Sequence, residues 1–195
     1  MLIKSLFAGF GGQGVLLMGY IFAHAAMNED RHVTFMPSYG AEMRGGTANC
    51  TVAVSNDEIA SPIASSPENL VVMNEPSLAH FQSSVKTGGL VMVNSTLVLR
   101  EVTRSEVSVV NVPATKIAED LGDIRAANIV MLGAFTVATG LVSTRTLGAS
   151  LEEVFGARKK AILELNMKAL QLGMDCIRDN YPERFKKKAK HGAAV

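Results

Sequence analysis

A glycine-rich segment at residues 9–14, with the sequence GFGGQG, constrains the fold more than any other feature of this chain. An apolar run at residues 3–8 precedes it, and good helix formers follow at residues 15–27. A glycine turn between a strand and a helix is typical of a βαβ unit, and the free amides of the helix favour an anionic ligand. The candidate binding residues of this turn are Gly9, Gly11, Gly12, Gln13 and Gly14.

The rest of the chain predicts an α/β fold: a single three-layer α/β/α domain with a mixed, mostly parallel sheet. Further strands are predicted at residues 33–36, 47–55, 70–73, 90–93 and 107–112, and further helices at 76–85, 114–121, 128–141, 151–155 and 159–180. Only about ten residues separate the strands at 33–36 and 47–55, so this pair is predicted to be antiparallel or offset. The domain is predicted to span residues 1–183, with a basic tail at 184–195.

Helical spacing also predicts which side of the last helix faces the core. The side chains expected to point inward are Ile162, Leu165, Ala169, Leu172 and Cys176.

Composition excludes several classes of function. Hydrophobic residues make up 48% of the chain and charged residues 19%, which is typical of a globular protein, and a net charge of +1 does not favour nucleic-acid binding. Two isolated cysteines, Cys50 and Cys176, and four scattered histidines predict neither a metal site nor an iron–sulfur cluster. The uncharged stretches at 5–28 and 126–144 contain glycines and polar residues, so we expect a protein that does not enter a membrane. Two isolated cysteines fit a reducing cytosol better than a disulfide framework, so we expect the protein to be cytoplasmic.

A second loop, PSYGAEMRGG at residues 37–46, follows the second predicted strand. Ligands and partners of open α/β sheets bind at this edge, where the guanidinium of Arg44 suits a phosphate or carboxylate. The loop is either pinned by an ion pair between Glu42 and Arg44 or forms a contact surface at a cofactor or subunit boundary. Its candidate binding residues are Ser38, Tyr39, Gly40, Glu42, Arg44, Gly45 and Gly46.

The glycine turn alone leaves several functions open. An NAD-binding fold normally carries an acid at the end of its second strand, and the sequence FMPS at residues 35–38 has none. One alternative is still a stand-alone oxidoreductase that binds NAD(P) or a flavin. Another is an interaction subunit without any ligand, in which the glycines only let the helix and strand pack closely.

Together with a third segment, the two loops resemble the gamma subunit of 2-oxoacid:ferredoxin (acceptor) oxidoreductases. GFGGQG at 9–14 and PSYGAEMRGG at 37–46 are followed by RAANIVMLG at 125–133, which carries Asn128 and Gly133. Either glycine segment alone would be a weak signal, but the two in this order and at this separation are specific. The resemblance adds Asn128 to the candidate binding residues.

This resemblance implies a subunit that is inactive alone and holds no catalytic residue or cofactor of its own. Such complexes oxidatively decarboxylate a 2-oxoacid, transfer the acyl group to coenzyme A, and pass electrons to ferredoxin or a similar acceptor. Thiamine diphosphate and magnesium are held by the alpha and beta subunits, and iron–sulfur clusters by beta or a ferredoxin-like delta subunit. Residues 37–46 would face a partner's active-site region, where Arg44 and the amides around residues 11–14 would attract coenzyme A phosphates.

Two finer expectations follow from the same resemblance and from composition. The free-standing length favours 2-oxoglutarate by analogy, although pyruvate, branched-chain and indolepyruvate enzymes share this kind of domain. Ten methionines and the apolar segment at 128–141 suit adaptable interfaces, so the isolated chain is expected to form homo-oligomers.

Overall fold

The computed structural model describes residues 1–39, 47–156 and 160–182. Within these ranges six strands form one sheet: β1 (Leu2–Phe10), β2 (His32–Tyr39), β3 (Thr47–Ser55), β4 (Asn69–Val72), β5 (Leu90–Asn94) and β6 (Ser108–Val112). The strand order is β2-β3-β1-β4-β5-β6. Strand β3 runs antiparallel to both of its neighbours, while β1, β4, β5 and β6 are parallel. The predicted mixed, mostly parallel sheet is confirmed, and so is the antiparallel pairing of the second and third strands.

The helices of the same described ranges are α1 (Val15–Met27), α2 (Glu75–Phe81), α3 (Ala114–Leu121), α4 (Ala127–Thr139), α5 (Thr144–Phe155) and α6 (Lys160–Asn180). Helices α1 and α3 have the predicted bounds. Helix α5 begins well before the predicted start at residue 151, because the Ser143 hydroxyl caps it by accepting a hydrogen bond from the Thr146 amide at 3.0 Å. The predicted basic tail at 184–195 lies outside the described residues.

Two unequal layers of helices cover the sheet. Helices α1, α3, α4, α5 and α6 pack on one face over the larger hydrophobic cluster. The other face carries α2 over a smaller cluster that includes Leu6, Leu70 and Leu78. This arrangement is the predicted three-layer domain, with most of its core on one side of the sheet.

Three phenylalanines form the centre of the larger cluster. Phe7 of β1, Phe22 of α1 and Phe135 of α4 are fully buried. Their ring centroids lie 5.1 Å apart for Phe7–Phe135 and Phe22–Phe135 and 5.9 Å apart for Phe7–Phe22. The tilted and edge-on geometries are those that aromatic pairs prefer. The cluster therefore fixes the relative positions of the strand and the two helices that carry the glycine turn and Asn128.

The inward face of α6 differs from the prediction. Ala169 is buried as expected, but Ile162 and Leu172 are 44% and 40% exposed, and Leu165 and Cys176 are only partly buried. The residues that face the core are Asn166, Ala169, Leu170, Gly173, Met174 and Ile177.

Glycines explain why α6 turns a different face to the core than predicted. A Cβ atom on Gly173 would lie 1.9 Å from the carbonyl oxygen of Val130, and one on Gly133 would lie 2.2 Å from that of Leu170. Helices α4 and α6 therefore meet backbone to backbone, which is possible only where both carry glycine. The small residues select the contact face, and the bulky side chains of Ile162 and Leu172 are left toward solvent.

Both edges of the sheet carry features that limit further strand pairing. At the β6 edge, the Tyr181 hydroxyl accepts a hydrogen bond from the Asn111 amide at 2.9 Å and donates one to its carbonyl at 3.3 Å. At the β2 edge, Pro37 has no amide to donate, as is common for proline in edge strands.

Within the described residues, no helix has both the length and the apolar character needed to span a bilayer. The uncharged stretch at 126–144 contains α4, whose residues are mostly buried in the larger cluster. Its lack of charge reflects burial inside the domain.

Candidate ligand site at the carboxyl edge of the sheet

The glycine turn is shorter than predicted because β1 continues through Gly9 and Phe10. Gly11 and Gly12 form the turn, which is closed by a hydrogen bond from the Gln13 amide to the Phe10 carbonyl at 3.1 Å. A Cβ atom on Gly9 would lie 2.7 Å from Gln13 Oε1. Gly9 therefore allows the strand and the turn to pack closely.

Gln13 joins the turn to the loop that follows β4. Its Oε1 atom accepts hydrogen bonds from the Phe10 amide at 2.7 Å and from Asn74 Nδ2 at 3.3 Å, and its Nε2 atom donates to the Met73 carbonyl at 3.2 Å. Because β1 and β4 are parallel neighbours, their carboxyl ends lie side by side. Gln13 therefore shapes this edge of the sheet through contacts within the protein.

The amino terminus of α1 is left without a side-chain cap. Gly14 is its N-cap residue, with φ 70° and ψ 21°, and the first turn carries no acidic residue. The first amides of a helix have no intrahelical partner and lie at the positive end of its dipole. Gly12, with φ 100° and open space beside its Cα, lies next to these amides. The arrangement suits an anionic group.

Asn128 connects the third sequence segment to this turn. It is 3% exposed, its Nδ2 atom donates to the Gly14 carbonyl at 3.1 Å, and its Oδ1 atom accepts from the Ile129 amide at 2.9 Å. A Cβ atom on Gly14 would lie only 2.3 Å from Asn128 Nδ2. The structure thus brings together two candidate residues that the sequence placed in separate segments.

Replacing Gly14 with alanine is expected to lower the free energy of unfolding by about 2–3 kcal/mol, because alanine would be strained at a left-handed φ and would overlap Asn128. Gly12→Ala, which meets the same backbone strain but open space, is expected to cost about 1–2 kcal/mol. In urea denaturation, Asn128→Ala should relieve part of the Gly14→Ala penalty, with a coupling energy of about 1 kcal/mol. Additive effects would contradict the contact.

Two clefts open at this edge and share Gly12 and Arg125. The larger, of about 250 Å³, has apolar walls from four helices and a polar rim. Its remaining lining residues are Gly14, Leu17, Asp123, Ala126, Asn128, Ile129, Phe155, Ile162, Leu165 and Asn166. The smaller, of about 170 Å³, is also lined by Gln13, Met73, Leu97, Thr115, Ile124 and Ala127. Of the candidate residues, Gly12, Gln13, Gly14 and Asn128 therefore lie on the walls of these clefts.

Sequence reasoning missed Asp123 and Arg125. Asp123 Oδ1 accepts hydrogen bonds from the Arg125 amide at 3.0 Å and from its Nε at 2.9 Å, and Oδ2 accepts one from Nη2 at 2.7 Å. These bonds from Arg125 lower the pKa of Asp123 to about 2, so the carboxylate stays ionised at neutral pH. Arg125 begins the third sequence segment, RAANIVMLG, but that segment added only Asn128 to the candidates, and an acid two residues before an arginine at a helix start is a common pattern.

The second predicted loop emerges at the same edge of the sheet. Tyr39 pairs with Ala48, which pairs with Gly9, and Thr47 pairs with Phe10. Ser38 is exposed near the end of β2. The ends of β2 and β1 are therefore two strand spacings apart, about 10 Å. The candidate residues Gly40, Glu42, Arg44, Gly45 and Gly46 lie outside the described residues, and their ligand contacts stay a prediction.

The strand order differs from that of a dinucleotide-binding fold. In that fold the second strand lies parallel to the first, with its acid beside the bound ribose. Here β3 occupies the place beside β1 and runs antiparallel to it, while β2 lies one strand further out. No acid stands at Ser38 or Tyr39, where β2 ends.

The cysteines do not fit an iron–sulfur cluster. Cys50 is fully buried and its thiol donates to the Val15 carbonyl, and burial raises its pKa to about 12. Burial also raises the pKa of Cys176 on α6. A cluster typically needs four thiolate ligands, whereas the chain has two cysteines, one in β3 and one in α6. In the part of the chain that the structure describes, no three His, Cys, Asp or Glu side chains gather in a metal-binding group.

The family model described as Pyruvate ferredoxin/flavodoxin oxidoreductase matches residues 4–176. The chain belongs to this family. Ketoisovalerate oxidoreductase subunit VorA of Methanothermobacter thermautotrophicus is 38% identical over 180 residues, which cover 91% of this chain and 37% of the relative. The chain thus spans little more than a third of that protein. 2-Oxoglutarate synthase subunit KorC of Methanothermobacter marburgensis is 36% identical over 177 residues, covering 87% of this chain and 94% of the relative.

Solved structures of pyruvate ferredoxin/flavodoxin oxidoreductase relatives share the fold. The gamma subunit of a keto/oxoacid ferredoxin oxidoreductase from Geobacter sulfurreducens has a TM-score of 0.77 and 28% identity, covering 89% of this chain and 97% of that one. A 2-oxoglutarate:ferredoxin oxidoreductase from Magnetococcus marinus has a TM-score of 0.84 and 22% identity, covering 91% and 31%. That structure contains 2-oxoglutarate, coenzyme A and succinyl-CoA. The predicted family is confirmed, and the relatives differ in the 2-oxoacid that they are named for.

Proposed function

We propose that this chain is the gamma component of a 2-oxoacid:acceptor oxidoreductase complex. The complex would cleave the bond between the carboxylate and the keto carbon of a 2-oxoacid, releasing carbon dioxide and joining the acyl group to the sulfur of coenzyme A. Two electrons would pass to ferredoxin or a similar acceptor, with release of a proton. The family membership and the near full-length similarity to a KorC subunit support this role.

The observation that carries the proposal is the larger cleft beside the glycine turn. Its walls are mainly apolar. Gly14, the N-cap residue that precedes the uncapped amides of α1, is one of its lining residues. Coenzyme A has a long, weakly polar arm that ends in a thiol and an anionic nucleotide end. The arm suits the apolar walls, and the phosphates suit helix amides. Arg44, which follows β2 in the sequence, is proposed to add positive charge there.

This chain would hold and orient coenzyme A, while the decarboxylation takes place on its partners. The proposed partners are alpha and beta subunits, with a ferredoxin-like delta subunit and ferredoxin as acceptor. Thiamine diphosphate with magnesium, and iron–sulfur clusters, would supply the decarboxylation and electron-transfer chemistry on those partners.

We propose 2-oxoglutarate as the substrate, because the relative that this chain matches over nearly its full length is named for it. Ketoisovalerate is the alternative candidate substrate, because the VorA subunit named for it is as similar to this chain in sequence as KorC is.

The test is purification of the native complex, followed by assays of ferredoxin reduction with and without this chain. We expect activity that depends on both a 2-oxoacid and coenzyme A, that is lost without the chain and that returns when it is added back. A panel of 2-oxoglutarate, ketoisovalerate, pyruvate and indolepyruvate identifies the substrate. Full rates of decarboxylation and acyl transfer in the absence of this chain would contradict the proposal. NAD or flavin bound to the purified chain would favour a stand-alone oxidoreductase.

A further inference from the structure

The guanidinium of Arg125 is held along one edge and open along the other. Its Nε and Nη2 atoms donate to the Asp123 carboxylate at 2.9 and 2.7 Å. An arginine side chain has five N–H donors in a planar fork. Nη1 donates to no residue in the described ranges, nor does the second hydrogen of Nη2. A fork that is fixed on one side and free on the other is preorganised to bind a second anion.

Asp123 is itself fixed, so it can hold Arg125 in place. Its side chain is only 20% exposed, compared with 86% for that of Arg125. It also accepts a hydrogen bond from the Arg125 amide at 3.0 Å, which caps the single 3-10 turn Ile124–Ala126 before α4. The carboxylate is thus hydrogen-bonded both to the backbone amide and to the guanidinium of Arg125. This double attachment restricts the rotamers that the arginine can adopt.

Arg125 lies where the two clefts meet. It lines both of them together with Gly12, and the larger cleft also contains Gly14 at the uncapped start of α1. The charge of Asp123 offsets part of the positive potential of Arg125. The amides at the start of α1 add to it, and the free edge of the guanidinium offers directed donors. The junction of the clefts is therefore a place for an anionic group whose attached apolar part extends into the larger cleft.

We propose that Arg125 is an anion anchor, positioned by Asp123, for a phosphate group of the ligand that occupies these clefts. The inference rests on the proposed function, in which that ligand is coenzyme A, and it adds a specific contact. This anchor lies in the 3-10 turn Ile124–Ala126 that precedes α4, and it is separate from the predicted role of Arg44. Asp123 acts through Arg125 and is a positioning residue.

The first experiment measures steady-state kinetics of the whole complex with Arg125 variants. Arg125→Ala is expected to raise KM for coenzyme A about tenfold, and by a larger factor than any fall in kcat, because a charge-assisted contact to the phosphate is lost. Arg125→Lys should recover only part of the loss, because lysine keeps the charge but lacks the planar fork. Asp123→Asn should give a smaller rise in KM than Arg125→Ala. The double variant should have the same KM as Arg125→Ala alone, because Asp123 acts only through Arg125.

Arg145→Ala is the matched control. Arg145 is exposed on α5 and lines neither cleft, so this variant removes the same charge elsewhere and should leave KM unchanged. An equal rise in KM for Arg145→Ala would show a general effect of net charge and would overturn the anchor. An unchanged KM for Arg125→Ala would also overturn it.

A second measurement compares coenzyme A with pantetheine, which has the thiol arm but no phosphate. The Arg125→Ala effect on KM should be about tenfold for coenzyme A and absent for pantetheine. An equal effect on both would mean that the variant disturbs the cleft as a whole, and it would overturn the proposal. Dephospho-coenzyme A then locates the phosphate. An unchanged effect assigns the anchor to the pyrophosphate, and a lost effect assigns it to the 3′-phosphate.

Failure of the anchor and failure of the proposed function give different results. If the complex needs this chain but Arg125→Ala behaves as wild type, only the anchor is wrong. If the partner subunits keep full activity without the chain, the proposed function is wrong and the anchor falls with it.

Discussion

Phe135→Ala is expected to lower the free energy of unfolding by roughly 3–5 kcal/mol. The ring of Phe135 is fully buried and stands edge-on to both Phe7 and Phe22 at 5.1 Å, so its removal leaves a cavity where β1, α1 and α4 meet. These three elements carry the glycine turn and Asn128. Urea denaturation measures the loss of stability, and a rise in KM for coenzyme A in the assembled complex would report its effect on the cleft.

Phe81→Ala provides the comparison for this prediction. Phe81 is only partly buried and lies in the smaller cluster on the opposite face of the sheet. Its truncation should cost about 1–2 kcal/mol, because less apolar surface is lost and water can partly fill the space. Equal losses for the two variants would mean that the three-ring cluster has no special weight in the stability of the domain.

Gly173→Ala is expected to cost about 2–3 kcal/mol, even though alanine is the better helix former. The new Cβ would lie 1.9 Å from the Val130 carbonyl oxygen, an atom of the α4 backbone that cannot rotate away. Helices α4 and α6 would have to separate along their whole contact. Urea denaturation is again the measurement.

Gly148→Ala makes the same chemical change in a helix without the clash. A Cβ atom there would lie 3.6 Å from Met167 Cε, which is ordinary contact with a flexible side chain. Only the helix propensity should change, so the free energy of unfolding should rise by up to about 1 kcal/mol. Similar effects at Gly148 and Gly173 would refute the backbone contact between α4 and α6.

Local patterns predicted the architecture well. The apolar runs, the glycine turn and the short span between the second and third strands were enough for an α/β domain with an antiparallel pair at one side. These signals are contained within short windows of sequence. The bounds of α1, α3 and β3 were correct for the same reason.

Contacts between distant segments were beyond this reasoning. Ile162 and Leu172 are large apolar residues at helical spacing, so periodicity alone predicts that they lie on the buried face of α6. The actual face is chosen by Gly173, whose partner Val130 is on another helix. In the same way, the early start of α5 depended on Ser143, a cap that hydrophobic periodicity does not report.

The candidate site was predicted in parts. Sequence segments identified Gly12, Gly14 and Asn128 individually, but the hydrogen bond between Asn128 and Gly14 joins residues 114 positions apart. Asp123 and Arg125 were missed because their significance comes from the clefts. The walls of the larger cleft are supplied by α1, α4, α5 and α6 together, and no single window of sequence contains them.

The phenol of Tyr181 has a consequence for how the protein behaves at high concentration. A further strand that paired with β6 would find the backbone N–H and C=O of Asn111 already hydrogen-bonded to Tyr181. It would first have to displace the end of α6. At the opposite margin, the edge strand β2 contains Pro37, a residue that has no backbone N–H to donate. Sheet extension, a common first step in amyloid growth, is therefore obstructed at the β6 margin while the end of α6 stays in place.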